Sequence, residues 1–118
     1  MTRVITYAQA INEALSQALT ADTRVLLIGQ GVTSPWYVGA TTTGLVDRFG
    51  DARVMDTPVS ESGVTGAAVG AALAGLRPVV VHPRMDFMYY AMDAIVNQAA
   101  NWHYMFGGNF CVPILWIL

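Results

Sequence analysis

The sequence predicts an α/β domain with a mainly parallel β-sheet. Four short apolar runs alternate along the chain with segments of helical periodicity, which is the pattern of strand–helix–strand units. The apolar runs are continuous and do not alternate with polar residues, as expected for strands that helices cover on both faces. At 118 residues, the chain has the length of one domain.

The first half of the chain contains two predicted helices and two predicted strands. Thr6 and Gln9 form a capping box, and apolar residues then recur at helical spacing until about residues 20–22. A glycine-broken loop that contains Pro35 follows the first strand. The other predicted elements of this half are the strand 24–28, the short helix 42–49 and the strand 53–56.

The second half begins with a helix that is rich in alanine and glycine. Ser60 is a candidate N-cap for this helix, which is predicted to run from Glu61 to about Ala74 and to end at Gly75. The other predicted elements are the strand 78–82, a long helix over about residues 85–105 and the strand 112–118. Because the chain stops inside its most hydrophobic strand, we expect it to be a fragment of a longer protein.

The composition predicts a chain that buries part of its surface against another chain. Charged residues make up 12% of the sequence and the mean hydropathy is +0.45, whereas ordinary soluble domains carry about 25% charged residues. Membrane insertion is not expected, because no stretch of about 18 residues is continuously apolar. With a net charge of −2 and no lysine, the chain lacks the basic footprint of a nucleic-acid-binding protein. A single cysteine, Cys111, and an N-terminus without a signal-peptide pattern predict a cytoplasmic location.

The alanine- and glycine-rich helix is a predicted interface. Glycines inside a helix cost roughly 1 kcal/mol each relative to alanine, so a compensating contact is expected. Small residues spaced three and four apart allow a second helix to approach closely. We therefore predict a homo-oligomer that forms through the helix between Gly63 and Gly75.

Glu61, at the start of this helix, has two interpretations. Acids in the first helical turn interact favourably with the helix dipole, by about 0.3–1 kcal/mol. The alternative is a functional carboxylate, because open α/β sheets bind ligands at the carboxyl ends of their strands. By residue type alone, the first interpretation is favoured. The other candidate ligands, His82, His103 and Cys111, lack metal-ligand spacing and are predicted to be core or edge residues.

A longer motif favours the functional interpretation of Glu61. The segment D-T-P-V-S-E-S-G-V-T-G-A-A-V-G, residues 56–70, resembles the signature of the pyrimidine-binding domain in the transketolase-like family. The segments T-Y-A-Q-A-I-N-E-A-L and M-D-A-I-V-N-Q-A-A fall in the order of the same family. Within it, the chain is most similar to the beta subunits of thiamine diphosphate-dependent 2-oxo acid dehydrogenases of the pyruvate dehydrogenase type.

The resemblance implies a three-layer α/β sandwich, the thiamine diphosphate-binding fold. Relatives continue beyond the position of Leu118 with the rest of this domain and a carboxyl-terminal domain. Residues 1–118 are therefore interpreted as a single, partial pyrimidine-binding domain without that further domain.

The resemblance also implies roles for four positions. Glu61 matches the glutamate that hydrogen-bonds a ring nitrogen of the aminopyrimidine of thiamine diphosphate, and it is the implied catalytic residue. Phe87 matches an aromatic residue that packs against the pyrimidine, and Tyr90 stands where the family usually has a glutamine near this ring. The main-chain carbonyl of Ile114 matches a ligand of a monovalent cation. The segment 81–85 departs from the family's E-F-M-T-F, so contacts with substrate or partner are expected to differ.

The implied function is to supply the aminopyrimidine half of a thiamine diphosphate site for oxidative decarboxylation of a 2-oxo acid. The implied partners are an alpha subunit, which would hold the diphosphate and magnesium, and a lipoyl acyltransferase. The chain alone is predicted to be inactive. Two alternatives stay open: a non-catalytic domain that associates with itself, and a fragment of an acetoin dehydrogenase or a transketolase-like enzyme.

Overall fold

The computed structural model describes residues 3–118 and contains one four-stranded sheet in which all strands are parallel. The strands are β1 (Val25–Gly29), β2 (Val54–Asp56), β3 (Arg77–Val81) and β4 (Leu115–Ile117). Their order in the sheet is β2-β1-β3-β4, so β1 and β3 are the central strands. The predicted α/β class and the four predicted strands are confirmed, although β4 is shorter than its apolar run.

The regular helices are α1 (Tyr7–Ala21), α2 (Leu45–Phe49), α3 (Glu61–Leu73), α4 (Met85–Met88) and α5 (Trp102–Met105). The predicted capping box at the start of α1 is confirmed. The Gln9 backbone N–H donates to the Thr6 hydroxyl oxygen at 3.2 Å, and the Thr6 N–H donates to the Gln9 side-chain oxygen at 2.8 Å. In residues 3–118, no helix combines the length and the hydropathy needed to cross a membrane.

The prediction of one long helix over residues 85–105 is wrong. Between α4 and α5 the chain forms a 3₁₀ turn, Tyr89–Ala91, and a π-helical segment, Asp93–Ala99. The Ser62 hydroxyl of α3 donates to the Tyr90 carbonyl oxygen at 2.8 Å, so a side chain from another helix binds the backbone at this point. Insertions of this kind into the backbone ladder interrupt regular α-helices.

The sheet lies between two layers of helices. On one face, Leu15 and Leu19 of α1 belong to a buried cluster with Leu27 of β1 and Val79 and Val81 of β3. On the other face, α3 packs against β1 and β3. The buried residues of α3 are Thr65, Ala68, Val69 and Ala72. This arrangement is the predicted three-layer sandwich.

Arg53 joins three elements at the amino end of the sheet. Its guanidinium donates to the backbone carbonyl oxygens of Val25 at 2.6 Å and of Leu19 and Asp22 at 3.0 Å. Arg53 is the closest basic residue to Glu61 in the sequence. Because these three hydrogen bonds hold it at the start of β1, it is not an ion-pair partner of Glu61.

Candidate functional site

A small cleft lies at the carboxyl edge of the sheet. Its walls come from the residues that follow β1, β2 and β3 and from the first turn of α3. The lining residues are Gln30, Thr57, Pro58, Ser60, Glu61, Val64, Val81, His82 and Pro83. The chain leaves β1 for β2 on one side and later returns to β3 on the other side of β1. Ligands of open α/β sheets bind at such a switch point.

Glu61 is the carboxylate of this cleft. It is the first residue of α3, is partly buried, and has no ion-pair or hydrogen-bond partner for its side chain among residues 3–118. The predicted capping role of Ser60 is wrong, because Ser60 occupies the N-cap position without a side-chain hydrogen bond to the helix backbone. Glu61 is therefore the ionisable side chain that the first turn of α3 places in the cleft.

Asp56, at the end of β2, fixes the loop that forms one wall. Its carboxylate accepts hydrogen bonds from the Gly31 N–H at 2.8 Å, the Thr33 hydroxyl at 2.6 Å and the Thr57 N–H at 2.9 Å. Burial acts to raise the pKa of Asp56, but these hydrogen bonds outweigh it and the pKa is lowered. The loop after β1, which carries Gln30 into the cleft, is thereby tied to β2.

Gly29 allows β1 and β3 to approach closely at the floor of the cleft. A Cβ atom at this position would lie 2.3 Å from the Val81 carbonyl oxygen and 2.9 Å from the Val81 Cβ atom. Gly31, two residues later, has a φ of +75°, and a Cβ there would lie 1.9 Å from the Tyr37 ring. Both positions therefore require glycine.

His82, which was predicted to be a core or edge residue, is a buried polar residue of the cleft. Its side chain is 2% exposed, and its Nε2 atom lies 3.0 Å from the hydroxyl oxygen of the buried Thr65. Burial lowers the pKa of His82, and the nearby charge of Glu61 opposes this effect without cancelling it. Its position at the end of a predicted strand was the available signal for a role at the carboxyl edge.

Comparisons with known proteins identify the fold family. Residues 3–114 match the family described as "Transketolase, pyrimidine binding domain". The chain belongs to this family. The match covers nearly all of the chain, and it confirms the family resemblance of the motif around Glu61.

The relatives of this pyrimidine-binding domain include beta subunits of two kinds of enzyme. "Pyruvate dehydrogenase E1 component subunit beta, mitochondrial" of Saccharomyces cerevisiae is 48% identical over 110 residues, which is 92% of this chain and 30% of that protein. "Pyruvate dehydrogenase E1 component subunit beta" of Rickettsia bellii is 45% identical over 94% of this chain and 34% of that protein. "Acetoin:2,6-dichlorophenolindophenol oxidoreductase subunit beta" of Bacillus subtilis is 44% identical over 97% of this chain and 37% of that protein. The chain thus spans about a third of the length of these curated relatives.

Of the predicted site residues of the pyrimidine-binding domain, Glu61 alone lines the cleft. Phe87 is 39% exposed and its ring lies 5.0 Å from the Arg84 guanidinium carbon. Tyr90 is 73% exposed, although its backbone carbonyl is bound to α3 through Ser62. The roles of Phe87 and Tyr90 at the pyrimidine stay predictions.

Ile114 lies outside the cleft, one residue before β4, and its N–H donates to the Val112 carbonyl oxygen at 3.0 Å. Its carbonyl as a cation ligand stays a prediction. Among residues 3–118, no three His, Cys, Asp or Glu side chains form a group that could hold a metal ion.

The cleft of the pyrimidine-binding domain has polar groups that fit a small heterocycle. The Thr57 hydroxyl is buried at the cleft wall and has no hydrogen-bond partner among residues 3–118. Buried polar atoms are normally hydrogen-bonded, so an unpartnered one indicates a missing ligand or water. The Glu61 carboxylate and the Thr57 hydroxyl, beside apolar Val64 and Val81, are chemically suited to the polar substituents of a heterocycle.

Proposed function

We propose that this chain supplies the aminopyrimidine half of a thiamine diphosphate site in the first component of a 2-oxo acid dehydrogenase of the pyruvate dehydrogenase type. The observation that carries the proposal is the Glu61 carboxylate, which lines a cleft at the carboxyl edge of the sheet and has no partner among residues 3–118. The similarity to beta subunits of pyruvate dehydrogenase supports the class of reaction.

The proposed role of Glu61 is to hold a proton at a ring nitrogen of the aminopyrimidine. The carboxylate can do so because no cation within residues 3–118 is paired with it: Arg53 is bound to backbone carbonyls, and burial favours the neutral form of His82. Thiamine diphosphate, when bound, supplies the carbanion chemistry that decarboxylates the substrate. The Thr57 hydroxyl would bind a polar substituent of the same ring, and Val64 and Val81 would exclude water from its face.

The proposed site is shared between two chains. An alpha subunit is the proposed holder of the diphosphate and magnesium, and a lipoyl acyltransferase is the proposed acceptor of the acyl group.

The test of this function is reconstitution with an alpha subunit of the same enzyme class. We expect calorimetry to detect binding of thiamine diphosphate with magnesium when both chains are present, and no binding to this chain alone. Decarboxylation of pyruvate should appear in the same mixture. A chain that forms a stable homodimer, and that never increases cofactor binding by the alpha subunit, would instead support the non-catalytic alternative.

Acetoin is a second candidate substrate, because the Bacillus subtilis relative is an acetoin oxidoreductase subunit that is 44% identical to this chain. Reduction of an artificial electron acceptor by the reconstituted complex, with either pyruvate or acetoin as substrate, distinguishes the two reactions. The substrate that is converted at the higher rate identifies the reaction that the complex catalyses.

The exposed face of α3 is the proposed interface with another chain, either a second copy or the alpha subunit. Gly66 and Gly70 are exposed, and a Cβ atom at either position would have no neighbour within 4 Å. No contact within residues 3–118 therefore compensates the cost of these glycines. A partner that packs against this face would explain them.

Substitution of Gly70 tests this interface. We expect Gly70→Ala to raise the free energy of unfolding of the isolated chain by about 1 kcal/mol, because alanine is the better helix former. Gly70→Leu should leave the chain folded but abolish association, as measured by light scattering with and without the alpha subunit. The matched control is Ala10→Leu on the exposed face of α1. Unchanged association of Gly70→Leu would contradict the proposed interface.

A further inference from the structure

The cleft contains a second ionisable side chain next to Glu61. His82 directly follows β3, is nearly completely buried and lines the same cleft as Glu61. Imidazole is the side chain that gains or loses charge most readily near neutral pH. The protonation of His82 therefore decides whether the cleft contains one charge or two.

The imidazole is fixed to the helix that carries Glu61. Its Nε2 atom and the Thr65 hydroxyl oxygen are 3.0 Å apart, and Thr65 is fully buried. Thr65 follows Glu61 by four residues on α3, so both side chains lie on one face of the helix, one turn apart. The hydrogen bond thus holds His82 against the first two turns of α3, in the cleft that Glu61 also lines.

Glu61 is the charged group that acts on His82. Its negative charge favours the protonated imidazole, whereas burial of the ring favours the neutral one and prevails. The charged groups on the neighbouring loops are engaged elsewhere. Asp56 accepts hydrogen bonds from the loop after β1, and Arg84 and Asp86 form an exposed ion pair with each other at 3.1 Å.

We propose that His82 is a positioning residue for Glu61. The neutral imidazole, held by Thr65, leaves the carboxylate without a cationic partner, and Glu61 is then available to the ring nitrogen of a ligand. A protonated His82 becomes that partner and competes with the ligand for the carboxylate. The coupling between the two side chains is the attraction of the Glu61 carboxylate for the protonated imidazole. Its consequence for the ligand rests on the proposed function, whereas the coupling is a property of this chain alone.

The coupling is tested without any cofactor. Carbon-detected NMR of the histidine rings follows the titration of His82 in the wild-type chain and in Glu61→Gln. We expect the pKa of His82 to fall further in Glu61→Gln, because the negative charge that opposes the effect of burial is lost. Asp86→Asn, which removes an exposed carboxylate already paired with Arg84, is the control and should leave the curve unchanged. An unchanged or raised pKa of His82 in Glu61→Gln would overturn the inference.

The consequence for binding is tested in the complex with an alpha subunit, with thiamine diphosphate and magnesium as the ligand. From about pH 8 to about pH 5.5, we expect the affinity of the wild-type complex to fall, by less than about tenfold because the pKa of His82 lies below its ordinary value. His82→Gln cannot be protonated and can still bind the Thr65 hydroxyl, so its affinity should fall less than that of the wild type over the same range. Circular dichroism at both pH values confirms that each protein is folded.

The outcomes separate the two proposals. If wild type and His82→Gln have the same pH dependence while Glu61→Gln abolishes binding, the positioning role of His82 is wrong and the proposed function stands. If Glu61→Gln binds the cofactor as tightly as the wild type, the proposed function fails, and the role of His82 toward the ligand fails with it.

Discussion

Glu61→Gln in the reconstituted complex is expected to lower the rate of pyruvate decarboxylation by at least about a hundredfold, since a positioned acid–base group contributes about 10²–10⁴ to a rate. Glutamine has nearly the same shape, but it cannot take up a proton from a ring nitrogen. Because the Glu61 side chain has no ion-pair or hydrogen-bond partner among residues 3–118, its substitution removes no such contact from the fold. We expect the free energy of unfolding to decrease by no more than the helix-dipole contribution of about 0.3–1 kcal/mol.

The control for this variant is Asp47→Asn. Asp47 is also an acid in the first turn of a helix, α2, but it is exposed and lies outside the cleft. We expect it to change the stability by a similar small amount and to leave the rate unaffected. Comparable rates for Glu61→Gln and the wild type would rule out Glu61 as the acid–base group.

Gly29→Ala is expected to have the largest effect on stability among the substitutions considered. The new methyl group would lie 2.3 Å from the Val81 carbonyl oxygen. Backbone atoms of a central strand cannot move away from it as a flexible side chain can. Forced overpacking of this kind costs about 1–3 kcal/mol. We expect the free energy of unfolding, measured by urea denaturation, to fall by this amount.

The same substitution should also weaken cofactor binding. Val81 lines the cleft, so a separation of β1 from β3 at this point widens its floor. The matched control is Gly66→Ala, at a helical position where a Cβ has no neighbour within 4 Å, which should raise the stability of the isolated chain. Equal urea midpoints for Gly29→Ala and the wild type would show that β1 and β3 can separate without cost.

Much of the fold could be predicted from local patterns. The continuous apolar run that became β1 predicted a strand covered on both faces, and Leu27 is indeed fully buried between β2 and β3. The capping box of Thr6 and Gln9 depends on residues three apart, so the start of α1 was also predictable. By contrast, the break in the helix after Met88 involves Ser62, which lies 28 residues from its partner Tyr90. Helical periodicity contains no information about such a contact.

The site was predictable only in part, for the same reason. Glu61 stands at the end of a strand–loop segment and in a family motif, so its place at the carboxyl edge could be expected. The contributions of Thr57 and His82 depend on the order β2-β1-β3, which brings the ends of separate strands to one cleft. The hydrogen bond between His82 and Thr65 requires α3 to pack on β3 in one register. The sequence spacing of these residues gives no sign of it.

The central position of β1 has a consequence for synthesis of the chain. β1 leaves the ribosome about fifty residues before β3, the strand with which it forms its longest pairing. At a synthesis rate of about 5–20 residues per second, β1 is complete roughly 3–10 s before β3. During this time, an apolar strand with unpaired backbone groups is exposed to other nascent chains, and β2 can cover only one of its edges. The residues that later form the floor of the cleft therefore stay uncovered on one edge until β3 has been synthesised.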